Sequence, residues 1–179
     1  LPPNASECVY AFTDADKEYL KGSWCLDLLE FTANSFRKDF EIMAKEVPEF
    51  KELFTYEKFQ ATAFQVRSRN FGLKFDGKTE NTCLVPFADM LNHSLQPNID
   101  WDYIERLGGY QMVANREIKR GEELFDSYGE KCNWKFLHGY GFVLEDNECN
   151  TAPITIEIDP TDPLKTEKEM LISMKLELS

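Results

Sequence analysis

Histidine occurs only twice in the 179 residues, at positions 93 and 138, so a multi-histidine metal centre cannot be assembled from this chain. The five cysteines, Cys8, Cys25, Cys83, Cys132 and Cys149, are odd in number, scattered and without a Cys-x-x-Cys pair. That pattern points away from a disulfide framework and from a structural zinc site, and towards a reducing, cytoplasmic or nuclear setting. No apolar run is long enough to span a bilayer, and no basic start followed by an apolar stretch marks a signal peptide, so no membrane partner is expected. Positive charge is scarce as well: 20 Lys and Arg against 32 Asp and Glu leave a net charge of -12. Direct binding to a nucleic-acid backbone needs the basic face this chain lacks, and a basic partner suits it better. The acidic residues could suggest a carboxylate-based hydrolase, but they fall on helix faces and in turns, where they serve solubility.

What is present is enough apolar residues, 42% of the chain, for one full core and the start of a second domain. Residues 1–12 carry two prolines and irregular apolar spacing and are expected to be extended. Thr13 reads as an N-cap, with Asp14 and Asp16 in a first helical turn that Gly22 closes. From Cys25 to Glu46, Leu26, Leu29, Phe36, Phe40 and Met43 recur at helical spacing, predicting a surface helix that ends before Pro48. Thr55 opens another helix, with Phe59, Ala63, Phe64 and Val66 on its stripe, ending at Arg67-Ser-Arg-Asn70; Arg67 is expected only to offset the helix dipole. Asp76-Gly-Lys is a turn signal. Residues 98–103 and 110–114 alternate as strands around the glycines of Arg106-Leu-Gly-Gly109, predicting a hairpin. Lys119-Arg-Gly-Glu122 predicts a tight turn into a short strand over 123–125, and a helix is expected over 131–137. A polar loop over 145–150, a strand over Thr151–Ile158 and a helix from Pro163 through Met170 and Met174 complete the expected order.

The stretch Cys83-Leu-Val-Pro-Phe-Ala-Asp-Met-Leu-Asn-His-Ser94 anchors the rest. Cys83 to Val85 read as a short buried strand that Pro86 stops, Phe87 to Leu91 fit one helical turn, and Asn92-His-Ser close it with groups that can hold a polar ligand. An ordinary helix-ending turn is equally compatible with the Asn-His-Ser close. Taken in order, Arg67-Ser-Arg-Asn-Phe71, Val85-Pro-Phe-Ala-Asp-Met-Leu-Asn-His-Ser94, Ile118-Lys-Arg-Gly-Glu-Glu-Leu-Phe125, Ser127-Tyr-Gly129 and Gly139-Tyr-Gly-Phe142 resemble the SET domain. More narrowly, the layout is similar to the Rubisco large-subunit methyltransferase-like branch, in which a helical insert splits the SET fold. The resemblance covers nearly the whole chain.

It implies an α+β protein: a SET-type β fold of short strands with pseudoknot-like threading, a helical insert over 1–80, the catalytic part of SET over 81–147 and the start of a helical substrate-binding domain over 148–179. The family's glycine-rich first half is not found in this sequence, and both ends read as cuts through a longer protein. The chain by itself is therefore expected to hold cofactor weakly, and its last segment to be loosely held. The resemblance further implies an S-adenosylmethionine-dependent protein methyltransferase that acts on the amine of a lysine in a protein substrate, histone or non-histone. By the same resemblance, Tyr128 and Tyr140 line the methyl-transfer channel, and Arg69 pairs with the cofactor carboxylate. Asp89, Asn92, His93 and Phe142 complete the cofactor side, with the His93 ring mainly packing. In histidine-methylating members an amide and an indole stand where this chain has Phe71 and Ala88. Phe71 can pack along an aliphatic arm and Ala88 leaves volume, so lysine is the expected acceptor. Two readings remain beside this one: a SET-like module that binds protein without transferring methyl, and a protein-histidine methyltransferase.

Overall fold

The computed structural model of the protein describes residues 8–75, 77–154 and 157–176. Its first part is helical: α1 (Asp14–Glu18), α2 (Trp24–Glu46), α3 (Phe50–Leu53) and α4 (Tyr56–Ser68). The Thr13 side chain accepts from Asp16 N while Asp16 returns to the Thr13 backbone, a capping box that fixes the start of α1. Thr55 caps α4 through the Lys58 backbone N–H, a contact of the kind worth about 1 kcal/mol. The chain then builds two antiparallel hairpins and one parallel pair. β1 (Asn70–Lys74) pairs with β2 (Glu80–Leu84), and β4 (Ile99–Ile104) with β5 (Gly109–Ala114). β3 (Asn92–His93) runs parallel to β6 (Phe125–Asp126), a pairing that needs a crossover, here supplied by the β4–β5 hairpin. Helices α5 (Asn133–Tyr140) and α6 (Lys165–Leu176) follow.

Two apolar clusters hold these elements. The first joins Cys8, Val9 and Tyr10 to Cys25 and Leu29 of α2 and Phe64 of α4, with Trp134 and Leu137 of α5 packed against it. Tyr10 donates its hydroxyl to the His138 carbonyl over 2.7 Å, and His138 Nε2 lies 3.0 Å from Thr32 Oγ1, so α2, α5 and the entering chain are tied at one point. The second cluster centres on Phe71, Leu73 and Ala88, with Trp101, Tyr103, Tyr110 and Met112 against it, and fills the space between the hairpins.

Several expectations are corrected. Residues 1–7 lie outside the described residues, but Val9–Ala11 form a 3-10 turn where an extended chain was expected, and Cys8 to Tyr10 are buried. In α2 the buried residues are Cys25, Leu29 and Thr32, while Met43 is exposed; in α4 they are Gln60, Ala61 and Phe64, and Val66 faces out. The anchor strand begins earlier, at Glu80, and is largely exposed, because a two-stranded hairpin covers only one of its faces. Phe87 adopts a left-handed φ of 73°, and only Ala88–Met90 form a 3-10 turn after it. The last short strand is Phe125–Asp126, starting two residues later than expected and ending one later, and α5 continues to Tyr140. β2 opens at Glu80, so the β1–β2 hairpin contains the expected division between residues 80 and 81, a division that pairing alone leaves open. Of the strand expected over 151–158, residues 155 and 156 lie outside the described residues; 151–154 and 157–158 are not in a strand. Pro153 removes a ladder donor there, and residues 151–154 are exposed. Asp76 of the turn signal and residues 177–179 also lie outside the described residues; Gly77 turns with φ 69°.

Candidate active site

Arg69 stands at the junction of α4 and β1. The Asn70 side-chain amide donates to the carbonyls of Val66 and Arg67, over 3.1 and 2.8 Å, which satisfies the helix end and starts the strand. The Arg69 guanidinium, thus held, donates through Nη1 to the Asp89 carbonyl at 2.7 Å and lies 3.7 Å from the Asp89 carboxylate.

The β3–β6 pair brings the Asn-His segment against the tyrosine segment, the contact that the threading expected from the sequence requires. Ser94 N–H donates to the Asp126 carbonyl at 2.9 Å, extending the pair by one residue. Asn98, only 1% exposed, clamps it from the side. Its amide donates to the Glu123 carbonyl at 2.8 Å, its Oδ1 accepts from Phe125 N–H at 2.8 Å, and its backbone N–H reaches the Phe125 carbonyl at 3.2 Å. The loop before β6 is fixed by the close Arg116–Glu122 ion pair. Past β6, the helix α5 ends at Gly141 with a left-handed φ of 83°; a Cβ there would stand 3.1 Å from Phe64, so glycine permits the turn that directs Phe142 back to the site.

Two adjoining cavities result. The larger, of about 560 Å³, is lined by Asn92, His93, Phe142, Met90 and Leu144; the smaller, of about 370 Å³, by Phe71, Ala88, Trp101, Asp126 and Lys131. Arg69, Asp89, Leu91, Tyr128 and Tyr140 line both and form the wall between them. The expected cofactor and channel residues therefore segregate: Asn92, His93 and Phe142 on one side, Phe71 and Ala88 on the other. All nine site residues expected from the sequence line one cavity or both.

The chemistry of the wall is set by burial. Tyr128 and Tyr140 stack with centroids 4.8 Å apart, and the Tyr128 hydroxyl donates to the Leu91 carbonyl at 2.6 Å. Desolvation first, and then the nearby Asp126 charge, pushes both phenols above their ordinary range, so both keep their protons at neutral pH. With its proton committed to Leu91, the Tyr128 oxygen still offers lone pairs to a donor in the channel. His93 accepts the Tyr128 backbone N–H at Nδ1 over 3.1 Å, and its ring packs 4.7 Å from that of Phe136. Burial, reinforced by the Lys131 charge, holds its pKa below the usual value. Asn92 is exposed and donates to Glu123 Oε1 at 2.7 Å.

Sequence reasoning missed Trp101, Asp126 and Lys131. For Asp126 a signal existed: in an extended segment residues 126 and 128 point the same way, so a carboxylate two positions before the tyrosine shares its cavity. Lys131 is brought in by the turn at Gly129 and donates to the Tyr128 carbonyl.

The SET domain family profile matches residues 7–129, and the chain belongs to that family. The chain is 26% identical over 175 residues to ribosomal lysine N-methyltransferase set10 of Schizosaccharomyces pombe, covering 96% of this chain and 32% of that protein. It is 38% identical over 100 residues to N-lysine methyltransferase SETD6 of Homo sapiens, covering 52% and 21% respectively. This chain thus spans about a third or less of the length of the curated relatives it matches. Its fold is similar to that of the SET domain of LSMT solved with lysine and AdoHcy (TM-score 0.73, 20% identity), covering 96% of this chain and 41% of that one. A structure of Rubisco LSMT bound to AdoMet gives a TM-score of 0.70 at 22% identity, covering 96% and 40%.

Proposed function

We propose that the protein is an S-adenosylmethionine-dependent protein-lysine N-methyltransferase, with the cofactor in the larger cavity and the acceptor lysine in the smaller. The observation that carries this reading is the pair of cavities with one shared wall of Arg69, Tyr128 and Tyr140. Group transfer between two bound molecules needs two sites meeting at one aperture, and alignment across it supplies much of the rate. The relatives set10 and SETD6 are named lysine methyltransferases, and LSMT has been solved with lysine, AdoHcy and AdoMet, which supports the assignment of both ligands.

The residues on the larger side fit the cofactor. A volume of about 560 Å³ is of the size that holds a nucleotide-like ligand. His93 Nε2 is buried there without a partner among the described residues, a donor left for a ligand or an ordered water. Arg69 retains donors beyond the one on Asp89, in the planar fork that suits a carboxylate. When bound, S-adenosylmethionine supplies an electrophilic methyl group on a sulfonium. The chain's part is to admit a lysine arm past Phe71 and Ala88, to accept an amine N–H on the Tyr128 oxygen, and to exclude water with the stacked tyrosines. No side chain is required as a covalent nucleophile, and His93, neutral and packed, is not needed as a base.

A basic protein segment is the proposed substrate class, favoured by the net charge of -12. The five free cysteines accord with a reducing compartment, cytoplasmic or nuclear. The full-length protein, incubated with methyl-labelled cofactor and lysine-bearing peptides or basic proteins, should transfer label to lysine. Absence of transfer together with protein binding would leave the non-catalytic SET-like module as the function.

A further inference from the structure

We propose that Asp126 reads the positive charge of the acceptor: its carboxylate is the counter-ion for the incoming ammonium and makes the channel select a cationic side chain over a neutral one of equal length. The inference rests on the reading of the smaller cavity as the acceptor channel.

Asp126 is 2% exposed, yet it lines the smaller cavity on the face that Tyr128 shares. It belongs to no ion pair among the described residues, although two cations line the same cavity. Arg69 pairs with Asp89 and the Lys131 ammonium donates to the Tyr128 carbonyl, and neither forms an ion pair with Asp126. The Ser127 backbone N–H and the Trp101 side chain offset only part of the burial, which raises the Asp126 pKa. Its charge is felt by the three phenols of Tyr110, Tyr128 and Tyr140, each pushed up in part by it. A buried carboxylate with no cation of its own is costly, and it becomes favourable when a cation arrives with hydrogen-bond donors. Among the other walls, Phe71, Trp101 and Ala88 are apolar or aromatic and suit an aliphatic arm. The further carboxylates there are those of Asp89, which faces Arg69, and of Glu80, which is exposed and already solvated. An arm that ends in an ammonium completes the site; an arm that ends in a methyl group leaves the carboxylate buried and unpaired.

The consequence is a specificity ratio. A charge-assisted hydrogen bond of this kind corresponds to about ten- to a hundred-fold in affinity. The test uses the full-length protein with S-adenosylhomocysteine, so that no turnover occurs, and a peptide that the protein methylates, carrying either lysine or its neutral isostere norleucine at the target position. The wild type should bind the lysine peptide at least ten-fold more tightly, and Asp126→Asn should reduce that preference below three-fold while retaining norleucine binding. Equal or tighter binding of norleucine by the wild type would overturn the inference, as would an Asp126→Asn protein that keeps its lysine preference. The wild-type ratio needs no variant and decides by itself if the variant folds poorly. If no peptide is methylated, the proposed function fails separately. Competition between Nα-acetyl-lysine methylamide and its norleucine analogue, followed by ligand-observed NMR, then tests the charge preference without any transfer.

Discussion

The backbone N–H of Tyr128 donates to His93 Nδ1 over 3.1 Å, and this bond couples the two segments that the parallel β3–β6 pair brings together. A ring nitrogen that accepts carries no proton, so the neutral imidazole has its hydrogen on Nε2. The ring lies 5.2 Å from that of Tyr128 and 4.7 Å from that of Phe136. His93 thus acts as a brace: its Nδ1 positions the tyrosine backbone, and its faces fill the space between tyrosine and core.

Tyr128→Phe tests the role of the hydroxyl. The variant loses the 2.6 Å bond to the Leu91 carbonyl but keeps the stack on Tyr140 and the backbone bond to His93. A stability loss of about 1 kcal/mol is expected. Methyl transfer should fall at least a hundred-fold, while calorimetric affinity for S-adenosylhomocysteine changes by less than about five-fold. Wild-type turnover by the variant would remove Tyr128 from the proposed chemistry.

Asn98→Ala should be among the most damaging single changes. The side chain is buried and makes two hydrogen bonds, to Glu123 O and from Phe125 N–H, both of which would lose their partner in a dry interior. A loss of about 2–4 kcal/mol is expected. Denaturant unfolding should show it, and hydrogen exchange at Phe125 and Asp126 should accelerate relative to β4–β5.

The residues of this site were reached through the resemblance to the SET domain; local punctuation alone gave their places and not their roles. Arg69 follows a helix end, Asn92 and His93 follow a proline-stopped strand, and Tyr128 precedes a glycine. Asp126 had a weaker signal, its spacing of two before Tyr128, which counts only if the segment is extended. That extension comes from a two-residue strand with no period of its own, held by its pairing with Asn92 and His93. The burial of Cys8, Val9 and Tyr10 was hidden for a related reason: three residues cannot show a helical or strand period, and their core is built by α2, α4 and α5. Residues 151–158 erred in the opposite direction, since alternation predicts a strand only where a neighbouring ladder is available.

His138 gives a pH signature of stability. The ring is buried beside Thr32 and Tyr10, and desolvation, with the Arg67 charge second, pushes its pKa down to about 4, against about 6.5 when unfolded. Between those values the unfolded chain binds the proton and the folded one does not. The contribution is therefore complete above about pH 6.5 and is lost as pH falls towards 4, by up to about 3 kcal/mol. His138→Gln can still hydrogen-bond Thr32 but does not titrate there. The difference in unfolding free energy between wild type and variant should thus move against the wild type between pH 7 and pH 4.5. A pH-independent difference would show that His138 titrates normally in the folded protein.

Ala88→Phe tests the acceptor channel and, with it, the preference for lysine. Ala88 is 5% exposed and lies in the cluster with Phe71 and Leu73, on the wall of the cavity of about 370 Å³. Phe71 opposite it is fixed by edge-to-face contacts, 5.2 Å from Trp101 and 5.5 Å from Tyr110, so it cannot easily yield to a second ring. A phenyl group at position 88 must then project into the cavity, with a packing cost of about 1–3 kcal/mol if it is forced into the core instead. The larger cavity does not include Ala88 in its lining, so cofactor-side binding should be spared. The expected outcome is S-adenosylhomocysteine affinity within about three-fold of wild type and lysine transfer reduced at least fifty-fold, mainly through KM. Peptides matched except for Lys or His at the target position give the second arm: the wild type should methylate lysine, because Phe71 offers no hydrogen bond to an imidazole and the channel is open enough for a long arm. Transfer to histidine alone would assign the pocket to the other acceptor, and an Ala88→Phe protein with normal lysine KM would place the acceptor outside this cavity.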